Sequence, residues 1–262
     1  MIKIGLNEIY LTDTDGDKPA LLFVHGIMMN SSVWRKQVEA FSNDCRVVCV
    51  DLRGFGQSTT NDPNITMEDH ADDMAQVIKQ LELRDVTFIG WSMGGAIGQV
   101  FAAAHGELIS KLVLVDTTPQ LLATEEFSDA LPPEAAQQLG GQLVEDFTGG
   151  CAAFCGMIAP ESADIAAELT AIASATRPDV ALTAFQISGG MSLLSTLPAI
   201  NTPTWVVAGV EDGVCFPAAS TYLAANIPGC ASSSATFLEN AGHAPFLTQT
   251  EAFNTWLKSV IA

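Results

Sequence analysis

The chain has 262 residues, enough for one large α/β domain with an insertion or for two small domains. Hydrophobic residues make up 48% of it, so a sizeable core can form, yet no run of about 18 apolar residues is present to span a membrane. A net charge of −19 argues against nucleic acid and anionic membrane surfaces as partners, because both need basic patches, and reads as a solubilising, salt-tolerant surface.

The first residues lack the basic and then long apolar segments of a signal peptide, which points to a cytoplasmic protein. Six cysteines, at 45, 49, 151, 155, 215 and 230, lie mostly within apolar patterns and read as buried free thiols. Cys151 and Cys155 stand four apart, but no neighbouring His or Cys completes a ligand set, so no metal is expected.

Residues 2–13 alternate well enough for a short β-hairpin, with Ile2, Ile4 and Leu6 followed by Ile9 and Leu11. Leu21-Leu22-Phe23-Val24 is a continuous apolar run, the pattern of a strand buried on both faces. It ends at His25-Gly26-Ile27-Met28-Met29-Asn30, and Ser31-Ser32 is the expected N-cap of a helix through Phe41. Arg46 to Val50 is the next buried strand, ending at Asp51-Leu52-Arg53-Gly54-Phe55-Gly56.

Thr66-Met67-Glu68-Asp69 forms a capping-box pattern for a helix whose apolar positions, Met74, Val77, Ile78 and Leu81, recur at helical spacing. Val86 to Ile89 is a further strand, followed by an Ala-rich helix, and Leu112 to Val115 ends at Asp116. Such alternation implies parallel strands with right-handed crossovers. From 119 to 198 the strand rhythm stops and helical segments punctuated by Pro and Gly take over, which predicts an inserted helical cap between core segments 1–118 and 199–262. Trp205 to Ala208 and Ala235 to Leu238 resume the strands, and a last amphipathic helix carries Phe253, Trp256, Leu257 and Val260.

The chemistry centres on Gly90-Trp91-Ser92-Met93-Gly94-Gly95, where a buried strand meets a helix. A serine on such a tight turn exposes its hydroxyl above the sheet, and the small flanking residues permit the turn. Ligands in open α/β sheets bind beyond the carboxyl ends of the strands, where His25-Gly26, Asp212 and His243 also fall. A serine hydroxyl needs a base to take its proton and a carboxylate to orient that base. His243 is the candidate base, because His25 reads as a loop-shaping residue, His70 as part of an exposed helix opening and His105 as a helix C-terminal residue. Asp212 is the candidate acid, with Asp116 and Glu211 as competitors.

In this combination the chain resembles the α/β-hydrolase fold family over nearly its whole length. The resemblance implies a mostly parallel eight-stranded sheet flanked by helices, with residues 119–198 as the family's cap. It places His25-Gly26 after the third strand, Ser92 after the fifth, Asp212 after the seventh and His243 after the eighth, in the triad order Ser, Asp, His. It further implies an oxyanion hole made of the backbone amides of Ile27 and Met93. Ser92 stands where dehalogenase-like and epoxide-hydrolase-like members need a carboxylate, so those branches do not fit; peroxidase-like members share the Ser triad.

The motifs also resemble pimeloyl–carrier-protein methyl ester esterases, 3-oxoadipate enol-lactonases and N-acyl-homoserine lactonases. In 119–198 Arg177 is the one base against ten acids, which disfavours an acidic carrier protein or a dianionic substrate. The expected activity is therefore hydrolysis of small, neutral, apolar acyl esters or lactones through an acyl-enzyme, without cofactor. Met28, Trp91, Phe147 and Phe154 are candidate pocket residues beside Met29, Met157 and Met191. The rival readings are a carbon–carbon bond hydrolase using the same triad and a small-molecule receptor on the same fold.

Overall fold

Residues 2–13 form three short strands rather than one hairpin. In a computed structural model, which describes residues 1–60, 65–230 and 234–262, β1 (Ile2–Ile4) and β2 (Asn7–Ile9) pair antiparallel across the Gly5-Leu6 turn. The chain bends at Tyr10, and β3 (Leu11–Asp13) leaves that hairpin to pair antiparallel with β5 (Arg46–Val50). This bend divides the strand count. Among the described residues the main sheet has seven strands instead of the expected eight, and the first two stand apart from it as a small hairpin.

The fully buried run Ala20–Val24 is β4, hydrogen-bonded in parallel to β5 on one side and to β6 (Thr87–Trp91) on the other. β7 (Lys111–Val115), β8 (Thr204–Gly209) and β9 (Thr236–Leu238) extend the sheet in parallel, giving the order β3-β5-β4-β6-β7-β8-β9. β6 is therefore central, and both of its faces must be covered by helices, as the burial of all five of its residues requires.

The helices follow from their caps. Asn30, not Ser31 or Ser32, starts the first: its side chain accepts from the Ser32 N–H, and a 3₁₀ turn over Ser31–Trp34 precedes α1 (Arg35–Phe41). Thr66 and Asp69 exchange both hydrogen bonds of a capping box at the start of α2 (Met67–Gln80). α3 (Met93–His105) is buried along almost its entire length behind Ser92. Between β7 and β8 lie α4 (Pro133–Glu145), α5 (Phe147–Ile158), α6 (Ala163–Ser174) and α7 (Pro178–Gly190). α8 (Pro217–Asn226), α9 (Pro245–Thr248) and α10 (Thr250–Ile261) complete the chain, and α10 buries Phe253, Leu257 and Val260. All six cysteines are buried. No helix among the described residues is long and apolar enough to cross a membrane.

His70 departs from its expected exposed position. It occupies the inward face of the first turn of α2 and is 5% exposed, with Nδ1 lacking a partner among the described residues. Burial, reinforced by the nearby Arg53 charge, pushes its pKa down to about 3. The folded state thus resists a proton that the unfolded chain accepts below about pH 6.5, so stability falls as pH drops from there toward 3. Between pH 7 and pH 5 this group alone is expected to remove about 2 kcal/mol. Urea melts at the two pH values should show that loss shrinking by a similar amount in His70→Leu; an equal loss in both proteins would contradict the assignment.

Candidate active site

Ser92 connects β6 to α3 with φ 55° and ψ −119°, a conformation that a non-glycine residue holds only when its surroundings enforce it. The enforcement is visible. The Ser92 N–H donates to the Val115 carbonyl, and its own carbonyl accepts from the Thr117 hydroxyl at 2.7 Å. A Cβ added at Gly94 would meet the Val24 carbonyl oxygen at 2.3 Å, so only glycine lets α3 start this close to β4.

The loop after β4 lies directly on this turn. His25 is fully buried; its Nε2 accepts from the Leu52 N–H at 2.9 Å, which leaves the proton on Nδ1 to donate to the Gly26 carbonyl at 2.7 Å. Burial holds its pKa below the ordinary histidine value, consistent with that neutral tautomer. Asp51 secures the same loop from β5, its two carboxylate oxygens accepting from the Ser31 and Gln57 N–H groups. Ile27 and Met93 both border the cavity at Ser92. The Met93 N–H opens α3 and has no intrahelical acceptor, and the Ile27 N–H has no partner among the described residues. Two free amides thus flank Ser92.

Asp212 and His243 meet beyond β8 and β9. His243 Nδ1 lies 2.8 Å from Asp212 Oδ2, with the His243 side chain and the Asp212 side chain both withdrawn from solvent. The other Asp212 oxygen accepts from the Val214 and Cys215 N–H groups at 2.8 and 3.0 Å, which fixes the carboxylate plane. His243 Nε2 has no hydrogen-bond partner among the described residues, and the ring packs 5.6 Å from Trp91, the residue before Ser92. Trp91 Nε1 also donates to the His243 carbonyl at 2.6 Å. A Cβ at Gly209 would meet the Gly242 carbonyl oxygen at 2.1 Å, so glycine at the end of β8 is what lets the histidine loop close down. The arrangement offers a hydroxyl on a strained turn, an oriented imidazole with one free nitrogen, and two free amides.

The competing acids separate clearly. Glu211 is exposed, whereas Asp116 is fully buried beside Asp212. Asp116 accepts from the Gly209 N–H rather than from His243.

Two contacts were not legible in the sequence. The Ile158 carbonyl at the end of α5 accepts from the His243 N–H at 2.8 Å, and Glu161 Oε1 accepts from the Gly242 N–H at 2.8 Å. The helices between β7 and β8 therefore hold the histidine loop directly. Glu161 stands in a short link between two helices, and nothing in its local pattern separates it from the solvated acids around it.

The cavity at Ser92 encloses about 40 Å³ and is apolar, bordered by Phe154, Met157, Phe185, Met191 and Val214, with no charged side chain among its described neighbours. Of the expected pocket residues, Phe154 borders it and three do not. Met28 has a left-handed backbone and its side chain is fully buried in the core. Trp91 is buried against His243 and Phe246, and Phe147 is half-buried at the start of α5, away from the cavity. Met29 is likewise core, while Met157 and Met191 reach the cavity.

Comparison with known proteins supports the fold. The family model for the alpha/beta hydrolase fold matches residues 19–250. The chain is 29% identical over 255 residues to a pimeloyl-[acyl-carrier protein] methyl ester esterase from Vibrio atlanticus, covering 93% of this chain and 95% of that protein. It is 25% identical to the Karrikin insensitive 2 receptor CA of Petunia hybrida, over 88% of this chain and 87% of that one. An esterase structure from Exiguobacterium antarcticum superposes with a TM-score of 0.90 at 25% identity, covering 97% of this chain and 96% of that chain. With the family match spanning every core strand from β4 to β9, the chain belongs to the alpha/beta hydrolase fold family.

Proposed function

We propose that the protein is a serine hydrolase that cleaves small, neutral, apolar carboxylic esters through an acyl-enzyme formed on Ser92. The observation that carries this reading is the buried 2.8 Å contact between Asp212 Oδ2 and His243 Nδ1, which leaves Nε2 without a partner among the described residues on a ring packed against Trp91, the residue before Ser92. Nε2 takes the hydroxyl proton as Ser92 Oγ attacks the ester carbonyl, and the free Ile27 and Met93 amides receive the oxyanion. His243 then returns the proton to the leaving alcohol. Water, deprotonated by the same nitrogen, releases the acid and regenerates Ser92. Asp212 keeps Nδ1 protonated throughout and balances the imidazolium charge.

The cavity supports the substrate class. A free volume of about 40 Å³ holds roughly three waters, and its lining supplies no cation for an acyl carboxylate. A short neutral acyl chain fits those limits. The relatives named for a carrier-protein ester favour a second reading, in which the acyl group arrives on a protein. Against it stands the charge of α4–α7 and their links, one base against ten acids over 119–198.

A panel of aryl esters of increasing chain length, N-acyl-homoserine lactones and a carrier-protein-linked methyl ester separates these readings. The expected result is the highest kcat/KM on short neutral esters, falling with chain length and with a charged acyl terminus. A preference for the carrier-linked ester would overturn the substrate class. A single turnover followed by stable ligand retention would instead indicate a receptor.

A further inference from the structure

The mechanism uses Asp212 and leaves unexplained a second carboxyl buried against it. Asp116 follows β7 with φ 41°, fully buried, its N–H bonded to the Val207 carbonyl. That strained backbone turns its side chain to the end of β8, where Oδ1 accepts from the Gly209 N–H at 2.8 Å. One oxygen of Asp116, one of Asp212 and a ring nitrogen of His243 all lie within 4.8 Å of one another. Asp116 Oδ2 has no donor among the described residues.

Two carboxylates in such a position cannot both hold a charge away from water. The hydrogen bonds decide which one does. Asp212 accepts from the Val214 N–H, the Cys215 N–H and His243 Nδ1, whereas Asp116 accepts from a single amide. A hydrogen on Asp116 would make its carboxyl a donor next to the Asp212 carboxylate, which can only accept.

We propose that Asp116 is a neutral carboxylic acid that donates its proton to Asp212, so that the buried pair carries one charge, on the carboxylate that holds His243. Asp116 is then a positioning residue: it orients Asp212 and shares its charge without touching substrate. The proton balance is simple, since the pair binds one proton in the resting state and neither gains nor loses it during turnover. The surroundings oppose any second charge. Glu161 from the α5–α6 link adds like charge, Cys215 brings an uncharged thiol whose pKa burial pushes well up, and among the described residues no cation other than a protonated His243 faces the pair. Burial, and then the charge of Asp212, raises the Asp116 pKa well above the carboxylate range. This role rests on the proposed triad, but the protonation state does not.

The test therefore begins without substrate. Isotope-edited infrared spectroscopy of protein labelled at the aspartate carboxyl carbons is expected to show a protonated-carboxyl band at pH 7 that Asp116→Asn removes. Absence of that band overturns the proposal. Should Asp116→Asn not fold, Asp73→Asn removes the other aspartate among the described residues whose pKa burial raises, there against the pull of its Arg53 partner, and a band surviving that change supports the pair. Activity supplies a second measure through the acid limb of kcat/KM against pH, which reports the essential base. Asparagine replaces a neutral donor with a neutral donor, so the limb should stay in place. Loss of a real negative charge would instead move it down by about one to three pH units, and that shift would also overturn the proposal. If ester hydrolysis survives in Ser92→Ala, the triad reading fails while the infrared result still stands.

Discussion

Ser92→Ala is expected to reduce kcat on a short aryl ester by about four to six orders of magnitude, with KM within a few-fold of the parent. The change removes only Oγ. The backbone bonds that hold the turn, from Val115, Thr117 and Gly95, involve main-chain atoms of residue 92 and survive it. The fold should therefore persist, read as an unchanged near-ultraviolet spectrum and melting temperature. What remains is the apolar cavity and the Ile27 and Met93 amides, which under the proposed mechanism still bind the ester and hold the oxyanion, enough for a residual rate above water alone. The measurement is steady-state hydrolysis combined with mass spectrometry of a covalent phosphonate adduct, which should appear at Ser92 in the parent and vanish in the variant. Turnover within tenfold of the parent would remove Ser92 from the mechanism.

Asp212→Asn is expected to cost about 10⁴ in kcat. The amide is isosteric, and its oxygen can still accept from the Val214 and Cys215 N–H groups that fix the plane. Its NH₂ then faces His243 Nδ1, where two donors cannot meet, so the imidazole must shift its proton to Nε2. A protonated Nε2 cannot take the hydroxyl proton of Ser92. The defect is one of tautomer, not of folding, and should appear in kcat with little change in KM. The charge argument for Asp116 leads to the opposite expectation at that position, since its neutral carboxyl already behaves as an amide would. Measuring both variants on one substrate at several pH values separates the two acids. Retention of more than a tenth of the activity in Asp212→Asn would reassign the orienting carboxylate.

The link between α5 and α6 gives the helices between β7 and β8 a role beyond covering the cavity. Ile158 and Glu161 accept hydrogen bonds from two consecutive residues of the histidine loop. Any movement of that link to admit substrate must carry, or release, Gly242 and His243.

Much of this arrangement is legible along the chain because it depends on local pattern. Buried parallel strands read as unbroken apolar runs, so β4, β6 and β7 stand out without reference to their neighbours. The capping box at Thr66 and Asp69 is set by residues three apart, and the turn at Ser92 by glycines within the motif. The failures share a different cause. The burial of His70, the core positions of Met28 and Trp91, and the departure of β3 from the first hairpin depend on what lies opposite in space. A histidine at a helix start and a methionine in a loop have the same local sequence whether they face solvent, core or cavity.

By itself the sequence determined the strand and helix succession from β4 onward and the positions of Ser92, Asp212 and His243 beyond strand ends, since each follows from residue type and short-range spacing. The tertiary structure decided which side chains border the cavity, which acid touches His243, and how the helices between β7 and β8 grip the histidine loop. Those outcomes rest on contacts between residues dozens to more than a hundred positions apart: 31 between Asp212 and His243, 81 between Glu161 and Gly242, and 152 between Trp91 and His243. Hydrogen bonds and burial at such separations are properties of the packed sheet and its crossovers, and no periodicity in the chain encodes them.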